Sequence, residues 1–156
     1  NFIECVKSGK KYVYNTSKSH DSYDSENPAI MLIPSAGQKI STILDMLDVN
    51  LDNIAVYNAS GSLVAASKYS NAKTAIGTGY KIQLLSGTTV TDEIYICLRG
   101  DVNGDGKINV SDVNSLSSLV DSNTVSSQIL AIQYAGDINI DGKTNVSDVN
   151  SLNVSI

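Results

Sequence analysis

Gly100-Asp-Val-Asn-Gly-Asp-Gly-Lys-Ile-Asn-Val-Ser-Asp-Val-Asn-Ser-Leu116 returns 36 residues later as Gly136-Asp-Ile-Asn-Ile-Asp-Gly-Lys-Thr-Asn-Val-Ser-Asp-Val-Asn-Ser-Leu152, with fourteen of 17 positions identical. Self-similarity of this kind marks a duplicated supersecondary unit. Nothing comparable precedes residue 98, so a boundary is expected near Leu98 to Gly100, dividing the chain into segments 1–98 and 99–156.

Each copy reads as a calcium loop. Calcium is a hard cation that takes six to eight oxygens, and a twelve-residue loop supplies them from positions 1, 3, 5, 7, 9 and 12. In the first copy these are Asp101, Asn103, Asp105, the Lys107 carbonyl, Asn109 (often through water) and Asp112. The second offers Asp137, Asn139, Asp141, the Lys143 carbonyl, Asn145 and Asp148. Gly106 and Gly142 stand at position 6, where the backbone turns sharply. Ile108 at position 8 is an apolar seal, with Thr144 as its weaker counterpart. Three carboxylates per loop repel one another unless a cation offsets them, so two calcium ions are expected, and a metal-free chain should be loosened or unfolded. Position 12 is Asp rather than Glu, and Glu93 to Gly100 reads as a strand rather than an entering helix. Both features separate the pattern from calcium sensors that open by swinging two helices apart.

Residues 100 to 156 thereby resemble the dockerin family. The resemblance implies an all-α module of two calcium loop-helix repeats. Its partner would be a cohesin on a scaffoldin or cell-surface anchoring protein, in cellulosomes and related polysaccharide-degrading assemblies. The setting implied is extracellular, either secreted or on the bacterial surface. By motif position, Val113, Leu116 and Val120 would pack the core, with Val149 and Leu152 as equivalents, the second helix stopping early at Ile156. Cohesin recognition would fall to Val110, Ser111, Asn114, Ser117 and Ser118, and to Val146, Ser147, Asn150, Asn153 and Val154. Clostridial dockerins often carry a basic pair where Ser117-Ser118 and Asn153-Val154 stand here, which points to a different specificity class. The near-identity of the two helices implies an internal two-fold relation presenting one surface twice. Residues 1–98 resemble, by position and size, the X modules that accompany some dockerins; a carbohydrate-binding or spacing role is the alternative.

Working outward, the first segment mixes strand and helix patterns. Phe2 to Val6, Lys11 to Asn15, Ala29 to Ile33, Ile54 to Asn58, Leu63 to Ser67, Tyr80 to Leu85 and Glu93 to Leu98 read as strands, with Asn15 to Asn27 a polar connection and Ala59-Ser-Gly-Ser a turn. Ile40, Ile43, Leu44 and Leu47 fall at helical spacing, so an amphipathic helix is expected over Gln38 to Leu47, with Ser35 a plausible start. The fold class is thus α+β: a β-rich module with one helix, β-grasp-like or immunoglobulin-like, followed by an all-α module.

Composition narrows the function classes. Of the 16 acids, six lie in the two loops, and the net charge of −5 with scattered Lys and Arg argues against nucleic acid or an anionic membrane as partner. A run of about 18 apolar residues is absent, so membrane insertion is not expected, and no signal peptide opens the chain. Cys5 and Cys97 are either a bridge between the first and last strands or two buried thiols. His20 in a polar loop, Asp45, Asp48 and Asp52 on or near an exposed helix face, and Gly77-Thr-Gly79 as a turn carry no catalytic constellation. The expectation is therefore a non-enzymatic docking protein, the alternative being a calcium-stabilised structural tail of a surface adhesin or secreted glycoside hydrolase.

Overall fold

In the computed structural model the described residues are 13–14, 29–47 and 49–156. The elements are β1 (Val13–Tyr14), β2 (Ala29–Leu32), α1 (Ile40–Leu47), β3 (Ile54–Tyr57), β4 (Lys81–Ser86), β5 (Thr89–Cys97), α2 (Val110–Asp121), α3 (Leu130–Gly136) and α4 (Val146–Ser155). The protein is mixed α+β. Its strands form one sheet in the order β1-β2-β5-β4-β3, with β2 parallel to β5 and the other neighbours antiparallel.

The apolar run Ala29-Ile-Met-Leu has no polar face to give to water, which suits a central strand covered on both sides. Successive strand residues point to opposite faces, and β2 and β5 divide accordingly. Ala29, Met31, Ile94 and Ile96, continued by Ile33 and Leu98, enter a first core with Val56 and Ile82. Ile30, Leu32, Tyr95 and Cys97 face the other way. Helix α1 covers the first face through Ile40, Ile43, Leu44 and Leu47, all buried.

The second face is covered by α3, whose Ala131 and Ala135 lie against Ile30 and Cys97, flanked by Leu130 and Tyr134. This helix lies between the two repeats in sequence, and its Ile132 reaches a third core built from Val102, Val113, Leu116 and Leu152. Val120 and Val149 are partly buried against that core. Ile108 touches both the first core and the third. Side-chain packing is therefore continuous across residues 98–100, where the repeat begins.

Several expected elements have shifted bounds. Helix α1 starts at Ile40 rather than at Gln38, with Ser35 further still outside it, because Lys39 forms a β-bridge with Ala75 and the Gln38 carbonyl accepts the Ile76 N–H. Leu63 to Ser67 is not a strand. After the turn that the Asn58 side chain ties by accepting the Ser60 and Ser62 N–H groups, the chain makes one bridge, Tyr57 to Leu63. It then enters a short 3-10 turn at Ala66–Lys68 that delivers Tyr69 to the first core. Of the Lys11 to Asn15 strand, Val13–Tyr14 is observed; Phe2 to Val6, Asn15 to Asn27, Cys5, His20 and Asp48 are outside the described residues. Asp45 and Asp52 are exposed as expected. Cys97 is a free, buried thiol, and burial pushes its pKa up to about 12.

The contact of α3 with the sheet relies on small side chains. Replacing Ala135 by Leu, which adds three carbons at a fully buried site, should cost about 1–3 kcal/mol by overpacking. The expected readout is a lower midpoint of urea unfolding at unchanged slope.

Candidate metal centres and exposed helix faces

The loops are built from their helix ends backward. Asn109 has an extended backbone and its side chain accepts the Ser111 N–H at 2.8 Å, while Asp112, three residues on, accepts the Asn109 N–H at 2.9 Å. This reciprocal capping box satisfies donors that a helix start leaves free. Asn145, Ser147 and Asp148 repeat it at the start of α4. Positions 9 and 12 of each loop are thus also the cap and first turn of a helix, where the helix dipole favours a carboxylate.

The other Asp112 oxygen closes the loop, taking the Val102 and Asn103 N–H groups at 2.9 and 3.2 Å. Asp148 takes those of Ile138 and Asn139 at the same distances. At position 1, Asp101 accepts four amides: Gly104 and Asp105 on one oxygen, Gly106 and Thr78 on the other. Asn103 and Asp105 hold the rim by accepting the Asp105 and Lys107 N–H groups.

In the first loop, Asp101, Asp105 and Asp112 bring carboxylate oxygens within 4.8 Å of one another. Asp101 and Asp112 are fully buried and Asp105 is exposed. Calcium–oxygen distances of about 2.3–2.6 Å put oxygens on opposite sides of one ion about 5 Å apart, so this spacing fits such an ion. Burial, reinforced by the charge of Asp112 and opposed by the amides of Thr78, Gly106 and Gly104, pushes the Asp101 carboxyl up to about 6. No Lys or Arg forms a salt bridge with the three carboxylates among the described residues.

The second loop repeats most hydrogen bonds of the first, but not all. Among the described residues, Asp137 receives the Asp141 and Gly142 amides but no counterpart of the Gly104 and Thr78 amides that reach Asp101. The Asn139 amide nitrogen donates to Asp141 at 3.2 Å. Position 4, glycine in the first loop, is Ile140, held at φ 61° and 65% exposed. A β-branched residue at positive φ is strained. Among the described residues, only the first loop gathers three carboxylates within 4.8 Å. The Arg99 guanidinium also donates to the Asp137 carbonyl.

The repeats are related crosswise. A Cβ on Gly100 would lie 3.2 Å from Ile108 and 3.3 Å from Leu152; one on Gly136 would lie 2.8 Å from Thr144 and 3.0 Å from Leu116. Each glycine therefore meets position 8 of its own loop and the leucine of the opposite helix. On the outer faces, Val110 and Val146 are 63% and 62% exposed. Ser111, Asn114 and Ser118 are exposed in one copy, as are Ser147, Asn150, Asn153 and Val154 in the other. Ser117 is half-buried, its hydroxyl 3.3 Å from Asp121.

Sequence reading missed Thr78 as a partner of Asp101, the helix α3 and the strain at Ile140. Only the last left a local signal, an isoleucine where the other copy has glycine. Comparison with protein-family models, with curated proteins and with solved structures finds no match to this chain.

Asp112→Ala should destabilise the chain by several kcal/mol, since it orphans the Val102, Asn103 and Asn109 amides at about 1–3 kcal/mol each. Asn109→Ala removes one capping bond and should cost about 1 kcal/mol. Ile140→Gly should stabilise by roughly 1 kcal/mol, the relief of about 1–3 kcal/mol of strain less the entropy of a glycine. Chemical denaturation of the three variants against the parent chain checks this order.

Proposed function

We propose that this chain is a non-enzymatic, calcium-dependent docking protein. Residues 99–156 act as a dockerin that binds a cohesin on a scaffoldin or cell-surface anchoring protein, and residues 1–98 act as an X-like companion. The observation that carries the reading is the duplicated cradle: two loops whose matching carboxylates take matching backbone amides, each opening a helix that shows the same Val-Ser pair to solvent. Asp101, Asn103, Asp105, the Lys107 carbonyl, Asn109 and Asp112 would hold one calcium ion. Asp137, Asn139, Asp141, the Lys143 carbonyl, Asn145 and Asp148 would hold the other. Bound calcium supplies positive charge that neutralises carboxylates otherwise repelling one another beside a helix start. The chain's own part is to fix α2 and α4 so that Val110, Ser111, Val146 and Ser147 lie on one rigid surface. The single sheet, with a parallel central pair and α1 in the crossover, suits the β-grasp-like expectation for the first segment better than a two-sheet sandwich. No helix among the described residues is long and apolar enough to cross a membrane.

Chelation should lower the helical circular dichroism of the chain and abolish capture by a panel of immobilised cohesins; calcium should restore both. A metal-stripped chain with unchanged helicity and capture would refute the calcium reading. A chain that takes up calcium yet captures no cohesin would leave the structural-tail reading in its place. Ser111→Arg and Ser147→Arg, tested singly and together, probe the duplicated face. If the partner accepts either orientation, each single variant weakens capture little and the pair abolishes it. If the sheet module fixes one orientation, one single variant is as damaging as the pair.

A further inference from the structure

The two loops differ in what lies against them. Around the first, glycine-sized spaces let another part of the backbone approach. A Cβ on Gly77 would lie 2.6 Å from the Gly104 carbonyl oxygen, 2.6 Å from the Gly106 nitrogen and 2.7 Å from the Asp101 carboxylate. From the loop side, a Cβ on Gly104 would lie 2.5 Å from the Thr78 carbonyl oxygen, and one on Gly106 would lie 2.8 Å from the Ala75 Cβ. The Gly37 N–H also donates to the Gly106 carbonyl at 3.0 Å. Around the second loop, a Cβ on Gly142 would meet nothing within 4 Å, and Ile140 stands in solvent.

At the centre of this contact the Thr78 N–H donates to Asp101 at 2.9 Å. Its direction is fixed from behind. The buried Thr78 hydroxyl donates to the Leu98 carbonyl at 3.1 Å and accepts the Leu98 N–H at 3.0 Å, so the residue is clamped just beyond the end of β5. A hydrogen bond to an ionised carboxylate is stronger than one between neutral groups. It aims the Asp101 carboxylate into the loop.

Resting on the calcium reading above, we propose that Gly77 and Thr78 are positioning residues of the first cation site. The first loop is a joint site of sheet and repeat, because its Asp101 takes an amide from the sheet module, whereas the carboxylates of the second are held by amides of its own repeat. The two calcium ions therefore bind inequivalently. Occupancy of the first loop is linked to the stability of the sheet module, because a ligand that binds only the docked form stabilises that form. Occupancy of the second acts first on the helical repeat.

The test uses the full chain, stripped of metal and titrated with calcium. Asp141→Ala disables the second loop and Asp105→Ala the first, each by removing an exposed carboxylate. Isothermal calorimetry should show Gly77→Ala weakening calcium binding by about ten-fold or more in the Asp141→Ala background. In the Asp105→Ala background the change should stay within about two-fold. The amide resonance of Thr78 should move on titrating Asp141→Ala and stay still on titrating Asp105→Ala; this measurement alters nothing in the sheet module and decides the matter if Gly77→Ala does not fold. Equal effects of Gly77→Ala in both backgrounds, or a Thr78 amide indifferent to the first loop, would overturn the proposal while leaving calcium binding intact. An unsubstituted chain that takes up no calcium would instead overturn both readings at once.

Discussion

The fold turns on one constraint: the buried Asp101 and Asp112 carboxylates, with Asp105 close by, must be held beside one another without a basic partner. Seven backbone N–H groups do most of this work, four on Asp101 and three on Asp112. To aim so many amides at two side chains, the loop must curl tightly, with positive φ at positions 4 and 6. The same curl sets Asn109 and Asp112 as helix cap and partner, so the direction of α2 follows from the carboxylates. The proposed calcium would complete this arrangement by supplying the charge that the amides only approximate.

Loop geometry in turn organises the packing around it. Helices α2 and α4 meet through Leu116 and Leu152, each over the glycine that opens the opposite repeat. Ile108, leaving the first loop, reaches back to the core under the sheet. Helix α3 carries the connection between repeats across the second face of β2 and β5. A sheet whose central strands are apolar on both faces needs a cover on each side. Here α1 supplies one and the segment between the repeats supplies the other.

The differences between the copies follow from these surroundings. Gly104 faces the sheet module, where any side chain would strike the Thr78 carbonyl; Ile140 faces solvent and only strains its own backbone. Ile108 fills the junction with the first core, whereas Thr144 uses its hydroxyl to bond the Gln133 carbonyl at 2.9 Å. The third change, Val102 to Ile138, remains apolar and borders the third core in both forms. The crosswise packing of the repeats thus coexists with an asymmetry imposed from outside them. In the docking proposal, the duplicated Val-Ser surface keeps the symmetry, because it lies on the exposed faces of α2 and α4.

Much was legible in the sequence, because it is encoded over short distances. The repeat, the loop positions, a helix after each loop and the α1 spacing are local patterns fixed by hydrogen bonds or by the helical period. The buried strand Ala29–Leu32 announced itself by an apolar run. What only the tertiary structure decided are contacts between distant residues. The role of Gly77 and Thr78 rests on an approach across 23 residues of chain, and a Gly-Thr-Gly run by itself reads as a turn. The strand expected at Leu63 to Ser67 was lost because Tyr69 is drawn into the core, and α1 lost Gln38 and Lys39 to the pairing around the Lys39–Ala75 bridge. Helix α3 divides its apolar residues between two cores and so shows no single stripe. Local periodicity records which face a segment buries; it does not record how many partners bury it.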